Sequence, residues 1–446
     1  MASISALGVG SGLNLSGLID QLKAAEQQKL VPILEQQSAQ KTKISAYGRL
    51  QSAMERVQTS VVALNEGSTF KQQKSSVTGE GVLATAKESA SPGRYEISVT
   101  QLARAGSVAS NSMALNDVLA ADASTLTLTF DTALNVNIDI PAGSTLADVR
   151  DQINADKESG VNASLINDGA GYRLALSSKE TGKEAAVTGF SGLGSLAVDN
   201  TTLRAGRDAE LDVNGIAITS KTNKVEEAIQ GVTLDLTAVS ESSITLVIER
   251  DQDSLRGAID DFVKNFNEMK STVGRMTQFN GAGEISGELI GDRTVRTIEN
   301  RLRQDISDSL AGGDIQRLSQ IGITLDRQGR LEIDDDKLNA AIATGPEALS
   351  SFFAGDSKEA GFAGRLTTTL KEITSEDGLI SSSISSAELR VDSLDQRKLR
   401  MEGSIERSVE RYRKQFAQLD GMIAQMNSMS SYLGQQFDML SNMQKK

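Results

Sequence analysis

The glycine-rich start of the chain is the first place where residue types and spacing could do chemistry. Residues 7–13 read Leu-Gly-Val-Gly-Ser-Gly-Leu, a glycine content found in loops that cradle phosphates with backbone N–H groups. A dinucleotide fingerprint begun at Gly8 needs glycine where Leu13 stands, and no strand pattern precedes it. Gly12 and Gly17 have P-loop spacing, but apolar residues follow instead of lysine and a hydroxyl residue. We interpret the segment as a flexible or turn-forming leader before a helix.

Two further patterns could support catalysis or metal binding. Ser-x-x-Lys occurs at 38–41 and 68–71, but the companion motifs of a penicillin-binding nucleophile do not accompany it. Residues 334–336 are three aspartates whose spacing is not that of an EF-hand loop. Carboxylates there fit the N-terminus of a following helix at 337–343. We predict no catalytic residue, no cofactor and no metal.

Composition excludes whole classes of function. The chain of 446 residues, enough for roughly three domains, has no Cys and no His. Disulfides, thiol nucleophiles, Ser-His-Asp triads and thiolate zinc sites are therefore excluded. A formal charge of −13 and 4% aromatic residues without Trp argue against a nucleic-acid partner. We expect no membrane insertion and no cleavable signal, because the sequence shows no long apolar run and no basic n-region.

Helical periodicity marks both ends of the chain. Near the N-terminus, apolar residues from Ile44 to Leu64 recur at steps of three and four, and Pro32 predicts a break or restart of the helix. Near the C-terminus, apolar residues recur at seven-residue intervals in two companion rows, with only Ser430 polar, which is typical of a coiled-coil seam. We call these residues the assembly seam: Ile405, Val409, Tyr412, Phe416, Leu419, Ile423, Met426, Leu433, Phe437 and Leu440.

The middle of the chain has a different pattern. Between residues 80 and 250, apolar and polar residues alternate as in strands with one buried face. Asn214-Gly215 predicts a tight hairpin. A weak internal repeat, in which two strands precede a short helix, is predicted at 126–154 and again at 211–229. Residues 83–250 of this block include 13 basic and 22 acidic residues, and their net charge of −9 suggests a solvated outer domain.

Further elements are predicted after this block. An amphipathic helix from about 251 to 279 has Asp253 or Ser254 as its N-cap, a second helix is capped by Asp292, and a hairpin turns at 326–329.

These patterns predict an α+β fold. Terminal coiled-coil helices and a helical-bundle domain carry inserted, mainly-β domains at the far tip. The predicted domain ranges share one scheme, in which each outer layer is contributed by two separate segments. They are 1–42 and 405–446 for the coiled-coil legs, 43–79 and 251–404 for the helical domain, 80–112 and 207–250 for the inner β domain, and 113–206 for the outermost β-rich domain.

The assembly seam has two interpretations. It either packs inside one long helix pair or makes contact between subunits. The second gains weight because residues 416–446 contain only four charged side chains and five of the chain's 11 methionines. Such a helix is difficult to keep soluble without a partner.

Motifs at both ends resemble one known family. Residues 7–13 with Leu18-Ile19 resemble the start of the bacterial flagellar filament-capping proteins, the hook-associated protein 2 family. Residues 412–437 are similar to the C-terminal signature of that family, and 91–103 to its recurring β-domain sequence. Residues 214–234 resemble a segment shared with other flagellar axial proteins, whereas 113–206 match least. The resemblance adds an N-terminal leader to the candidate site: Leu7, Gly8, Gly10, Gly12, Leu13, Leu18, Ile19 and Leu22.

The resemblance implies a structural protein rather than an enzyme. Such a protein is secreted through the flagellar type III apparatus and forms a homo-oligomeric ring at the filament tip. Its implied partners are flagellin, whose folding and insertion it promotes, the hook–filament junction proteins and a flagellar export chaperone. A role of the outer domains in cell adhesion is compatible with their acidity. The alternative is a secreted surface adhesin or needle-tip protein with a helical stalk.

Overall fold

The computed structural model describes residues 12–132, 134–281 and 286–443. Contacts divide the chain into a helical unit, which runs up to Gly67 and resumes at Arg256, and a β unit, Ser68–Leu255. The helices of the described residues are α1 (Leu15–Gln27), α2 (Val31–Asn65), α3 (Leu146–Ala155), α4 (Gln252–Thr277), α5 (Arg293–Ser307), α6 (Asp335–Thr344), α7 (Pro346–Phe353), α8 (Phe362–Thr374) and α9 (Leu379–Met443).

Seventeen strands lie within the described ranges. They are β1 (Gln73–Thr78), β2 (Val82–Ala86), β3 (Gly93–Gln101), β4 (Ser107–Ser110), β5 (Ser124–Phe130), β6 (Asn135–Ile140), β7 (Val161–Asn167), β8 (Tyr172–Ser178), β9 (Val187–Ser191), β10 (Val198–Arg204), β11 (Ala209–Val213), β12 (Ile216–Ser220), β13 (Lys224–Ile229), β14 (Val232–Leu236), β15 (Ile244–Arg250), β16 (Ile323–Leu325) and β17 (Leu331–Ile333). The predicted α+β class is confirmed.

The helical unit has a core that the periodicity of α2 predicts. Apolar residues of this helix from Leu50 to Leu64 are buried at steps of three and four. Phenylalanines of α4, α7 and α8 pack together, and the rings of Phe262 and Phe362 meet edge to face with centroids 6.0 Å apart. Asn267 of α4 both accepts from and donates to the backbone of Leu331, which fixes β17 on this helix.

The β unit contains two separate hydrophobic cores. The five-stranded sheet β1-β15-β3-β11-β12 and the three-stranded sheet β13-β14-β2 enclose one core. The sheets β10-β4-β8-β7 and β6-β5-β9, together with α3, enclose the other. The hairpin β11–β12 turns at Asn214 and Gly215, whose φ values of 51° and 85° fit the tight turn that Asn-Gly predicts.

Local signals identify most helix ends correctly. Pro32 lies in the first turn of α2, just after a short 3₁₀ turn, so the predicted restart is confirmed. Asp292 caps α5 and Asp334 caps α6, as predicted. The predicted N-cap of α4 is wrong, because the helix begins at Gln252 and the carboxylate of Asp251 accepts from the backbone N–H of Ser254.

The second copy of the predicted internal repeat is also wrong. Residues 126–154 do form two strands and a helix, but 224–229 form strand β13 instead of a helix. The register between β13 and β14 shifts between Glu226 and Ile229, and Glu227 has a φ of 61°. Three steps on β13, from Glu226 to Ile229, pair with one step on β14, so β13 has two extra residues. Glu227, which would share the buried face of Val225 and Ile229 in a regular strand, is exposed instead. The two buried residues at a spacing of four therefore imitate helical periodicity.

Several predicted domain boundaries divide a sheet, a unit or a helix of the structure. Strand β1 pairs with β15, so a boundary after residue 79 divides the β unit. Strand β4 pairs with β8, so the outer sheet begins before residue 112. The boundary at 42 lies within α2, and the boundary at 404 lies within α9, which continues unbroken.

Candidate functional site in the helical unit

The assembly seam lies on α9, a helix of 65 residues that packs against α1 and α2. The amide of Gln37 donates to Asp395 at 2.6 Å, whereas Ile19 lies in one apolar cluster with Ile405 and Val409. A later residue of the N-terminal helices thus meets an earlier residue of α9. The helices are antiparallel.

The first part of the seam is covered by α1. Ile405 and Val409 are buried with Ile19, while Tyr412 and Phe416 are half-buried. We call these four residues of α9 the proximal seam. Their apolar side chains pack inside one subunit, as the first interpretation of the heptads requires.

The second part of the seam is largely open to solvent. Leu419 is 39% exposed, Met426 65%, Leu433 49% and Phe437 69%, while Ile423 is half-buried. We call these five residues the distal seam. Every side chain from 425 to 439 is exposed, and the side chain of Leu440 lies outside the described residues. This stripe has the heptad spacing of the proximal seam without its cover.

The N-terminal leader is described only from Gly12 onward. Leu7, Gly8 and Gly10 lie outside the described residues. Asn14 caps α1 through its side-chain oxygen, which accepts from the backbone N–H of Gly17 at 3.0 Å. The leader residues within the described range have different surroundings. Gly12 has a φ of 72°, Leu13 and Leu18 are exposed, Ile19 is buried and Leu22 is half-buried.

A polar cluster connects α2 with the N-terminus of α5, and α5 with α9, at what we call the base of the helical unit. The hydroxyl of Tyr47 donates to Asp292 at 2.8 Å, Lys43 approaches the same carboxylate at 3.4 Å, and Thr294 bonds Ser383 of α9. Burial and this carboxylate raise the pKa of Tyr47 to about 12. Burial alone would raise the pKa of Asp292, but bonds from Tyr47 and the backbone of Val295 outweigh it and lower that pKa.

Comparisons with known proteins agree with these features. Residues 11–106 match the family model of the flagellar hook-associated protein 2 N-terminus, and 206–428 match that of its C-terminus. Residues 125–180 match the flagellin hook IN motif. The chain is 36% identical to flagellar hook-associated protein 2 of Escherichia coli K12, over 99% of this chain and 100% of the relative.

The chain belongs to the flagellar hook-associated protein 2 family. It is also 30% identical to the A-type flagellar hook-associated protein 2 of Pseudomonas aeruginosa, over 98% of each chain. The crystal structure of the D1-D2-D3 domains of the flagellar cap protein FliD from Escherichia coli is similar at a TM-score of 0.66 and 32% identity. That similarity covers 77% of this chain and 99% of the other.

Membership in the hook-associated protein 2 family confirms the predicted family and its structural, filament-capping function. The hook IN motif matches at 125–180, within the part of the chain whose sequence resembles the family least. Within the described ranges, no three acidic side chains come together as a metal site requires. No helix among the described residues has the length and apolar character to cross a bilayer.

The structure of this family member also shows a row of buried apolar residues on α9, before the assembly seam, that was not predicted from the sequence. Ile380, Ala387 and Leu394 of α9 are buried, and they lie seven residues apart. Met401 continues this row, and a step of four residues then leads to Ile405. Such a four-residue insertion in a heptad pattern conceals its continuity, so extending the pattern backwards with one shift would have found these residues.

Proposed function

We propose that the distal seam performs the capping function of the family. The chain would be one subunit of an oligomeric cap at the distal end of the flagellar filament. There it promotes the folding and insertion of flagellin and prevents its leakage. The observation that carries this proposal is the exposure of the distal seam, because an apolar stripe with coiled-coil spacing is stable in water only when a partner covers it.

The size of the apolar stripe supports such a contact. Leu419, Met426, Leu433 and Phe437 are all more than a third exposed. Covering a large apolar side chain stabilises by about 1.5 to 3 kcal/mol, so four give at most about 6 to 12 kcal/mol before the entropy of association is subtracted. Because association costs about 4 to 15 kcal/mol, this range is that of a weak, reversible contact with a neighbouring subunit or with the filament rather than a permanent one.

The number of charged side chains on α9 falls along the helix, just as the cover of its apolar seam does. From Arg397 to Lys414 the helix has seven basic and three acidic residues, whereas from 415 to 443 it has only Asp420 and Asp438. A weakly charged helix loses little solvation when it is covered by protein, so the transition near Lys414 favours assembly beyond that residue.

The domains would divide the work. We propose that residues 1–42 and 405–446 form the attaching legs and that the rest of the helical unit is a rigid body. The two cores of the β unit would be the inner and outermost domains. Before export through the flagellar type III apparatus, a chaperone would cover the distal seam. After export, the cap would first bind the junction proteins at the end of the hook.

A gene-deletion experiment tests the proposed function. Cells without the gene for this chain should lack filaments and release flagellin into the medium, as measured by electron microscopy and immunoblotting. The full-length gene should restore filaments, whereas a gene ending at Lys414 should not. The purified truncated protein should still melt cooperatively, because the proximal seam is retained up to Tyr412.

Two results would contradict the proposal. Normal filaments in the deletion strain would exclude a capping role, and full rescue by the truncated gene would exclude the distal seam. Deletion cells with normal filaments but lost attachment to surfaces would favour an adhesin instead.

A further inference from the structure

Methionine is concentrated on the distal part of α9. Met422, Met426, Met429, Met439 and Met443 are five of the 11 methionines of the chain. The first four are 59% to 65% exposed. In contrast, Met54 and Met269 of the helical core are completely buried. The same side chain thus occurs in two very different environments within one helical unit.

Three of the exposed methionines share one side of the helix. Met426 belongs to the distal seam itself, Met422 precedes it by four residues and Met429 follows it by three. Residues at these spacings are neighbours on a helix surface. Met439 lies thirteen residues after Met426, which at 3.6 residues per turn places it about 140° away around the helix.

The rest of the composition directs oxidation to these sulfurs. The chain has no Cys, no His and no Trp. The methionine thioethers are therefore the side chains that hydrogen peroxide at low concentration oxidises most readily. In that reaction the sulfur takes one oxygen atom from the peroxide. An S–O bond forms, the O–O bond breaks, the sulfur is oxidised, and hydrogen peroxide is reduced to water. The product is a methionine sulfoxide, which is polar.

We propose that Met422, Met426 and Met429 form an oxidation site that inactivates the distal seam. This inference rests on the proposed function of the seam. A sulfoxide at Met426 places a strongly polar group in the apolar stripe between Leu419 and Leu433, and sulfoxides on either side extend it. Conversion of methionine to sulfoxide disrupts methionine-rich interfaces, because the polar oxygen must be desolvated when the partner covers it.

The first test measures where oxidation occurs. Full-length purified protein is treated with dilute hydrogen peroxide, and peptide mass spectrometry follows each methionine with time. Met422, Met426, Met429 and Met439 should oxidise at least about tenfold faster than Met54 and Met269, because the latter are shielded by the core. The melting temperature should remain that of untreated protein. Equal rates at buried and exposed positions would overturn the site.

The second test measures what oxidation does. Untreated or oxidised protein is added to cells that lack the gene and secrete flagellin, and filaments are counted by electron microscopy. Oxidised wild-type protein should support at least about tenfold fewer filaments, and methionine sulfoxide reductase with a thiol reductant should restore them. The variant Met422→Leu/Met426→Leu/Met429→Leu alters the seam itself, so it is compared only with itself. Its filament count should be the same before and after peroxide, since leucine does not oxidise.

The control variant is Met439→Leu, which removes an equally exposed sulfur from another side of the helix. It should lose activity on oxidation as the wild type does. Oxidised wild-type protein that supports normal filaments would overturn the inference and leave the proposed function intact. If untreated protein and the leucine variant both fail to support filaments, the proposed function falls, and this inference with it.

Discussion

The proximal and distal seams lie on one helix and have one repeat, yet they differ in what covers them. Ile405 and Val409 are 5% and 8% exposed, whereas Met426 and Phe437 are 65% and 69% exposed. The heptad pattern therefore specifies which face of α9 is apolar. Whether that face is covered within the subunit depends on the partner helix, and α1 begins at Leu15.

The difference in exposure assigns different roles to two parts of the same heptad pattern. The proximal seam contributes to the stability of the subunit, because its side chains leave water when the chain folds. The distal seam is largely exposed and contributes much less in the free subunit, and in the proposed function its apolar side chains leave water when the subunit associates. The same kind of substitution should therefore lower stability in the proximal seam and impair filament growth without lowering stability in the distal seam.

The largest effect on stability is expected from charging the proximal seam. In Ile405→Asp/Val409→Asp, each buried carboxylate without a partner destabilises the fold by several kcal/mol. The melting temperature, measured by circular dichroism, should fall by many degrees. Ser404→Asp adds a charge on the exposed side of the same turn and should change stability by less than about 0.5 kcal/mol. Equal melting of the double variant and wild type would refute the packing of the proximal seam.

The same substitution in the distal seam should leave stability unchanged. In Leu419→Asp/Met426→Asp/Leu433→Asp, the new carboxylates remain hydrated, so the free energy of unfolding should change by about 0.5 kcal/mol or less. Filament growth should nevertheless be lost in cells that carry only this variant, with flagellin in the medium.

The matched control for the distal variant is Gln418→Asp/Gln425→Asp/Gln435→Asp, which adds the same charge beside the stripe. It should support filaments. Loss of filaments with this control would show that charge alone, rather than the apolar stripe, is responsible. A clearly lowered melting temperature of the distal variant would show that the stripe is covered within the subunit.

A smaller loss is expected at the base of the packed region. Tyr47→Phe removes the hydroxyl that donates to Asp292. Because the acceptor is charged and partly buried, the free energy of unfolding should fall by about 1 to 2 kcal/mol in urea titrations at pH 7. Thr59→Val removes a hydroxyl on the exposed side of α2 and should leave this energy nearly unchanged. A Tyr47→Phe protein as stable as wild type would exclude the cluster as an anchor.

The same cluster predicts a pH dependence. The folded pKa of Tyr47 is raised to about 12, so its contribution is complete below its unfolded pKa near 10 and is lost as pH rises towards 12. The folded pKa of Asp292 is lowered, so its contribution is complete above its unfolded value and is lost as pH falls through the folded value. The stability difference between wild type and Tyr47→Phe should be constant from about pH 5 to 9 and shrink outside that range. A difference that changes steeply near pH 7 would contradict this.

The smallest expected effect concerns the start of α1, which covers the proximal seam. Asn14→Ala removes the cap of this helix and should weaken its first turn by about 1 kcal/mol. Hydrogen exchange at Gly17, Leu18 and Ile19 should become about fivefold faster, while the melting temperature changes little. Asn14→Ser, which also caps, should exchange like wild type. Unchanged exchange in the alanine variant would exclude the cap as a determinant of this turn.

Much of this fold could be predicted because local signals coincide with tertiary ones. The caps Asp292 and Asp334, the Asn214-Gly215 turn and the alternating strands are read from short stretches of sequence, and the structure contains them all. Strand β13 escaped prediction because its bulge leaves Glu227 exposed between the buried Val225 and Ile229, so the alternation of apolar and polar residues is interrupted.

The site could be predicted only in part. The sequence shows that Leu419 continues the heptad row of Ile405 and that Phe437 continues the row of Val409. Nothing in the sequence of α9 shows at which residue another helix stops covering these rows. That limit depends on where α1 meets α9, a contact between residues almost four hundred positions apart. The buried row at Leu394 escaped prediction because a four-residue step separates it from the heptads that follow.

The unbroken course of α9 has a consequence for the energetics of docking. An isolated helix must first form a nucleus, and a nucleation constant near 10⁻³ corresponds to an unfavourable free energy of about 4 kcal/mol. In α9 the turns around Leu394 and Ile405 are already held by packing, so the distal turns have only to propagate from a template. A partner that covers Phe437 therefore binds a helix that is already nucleated. The unfavourable free energy of helix nucleation is then not subtracted from the free energy of binding.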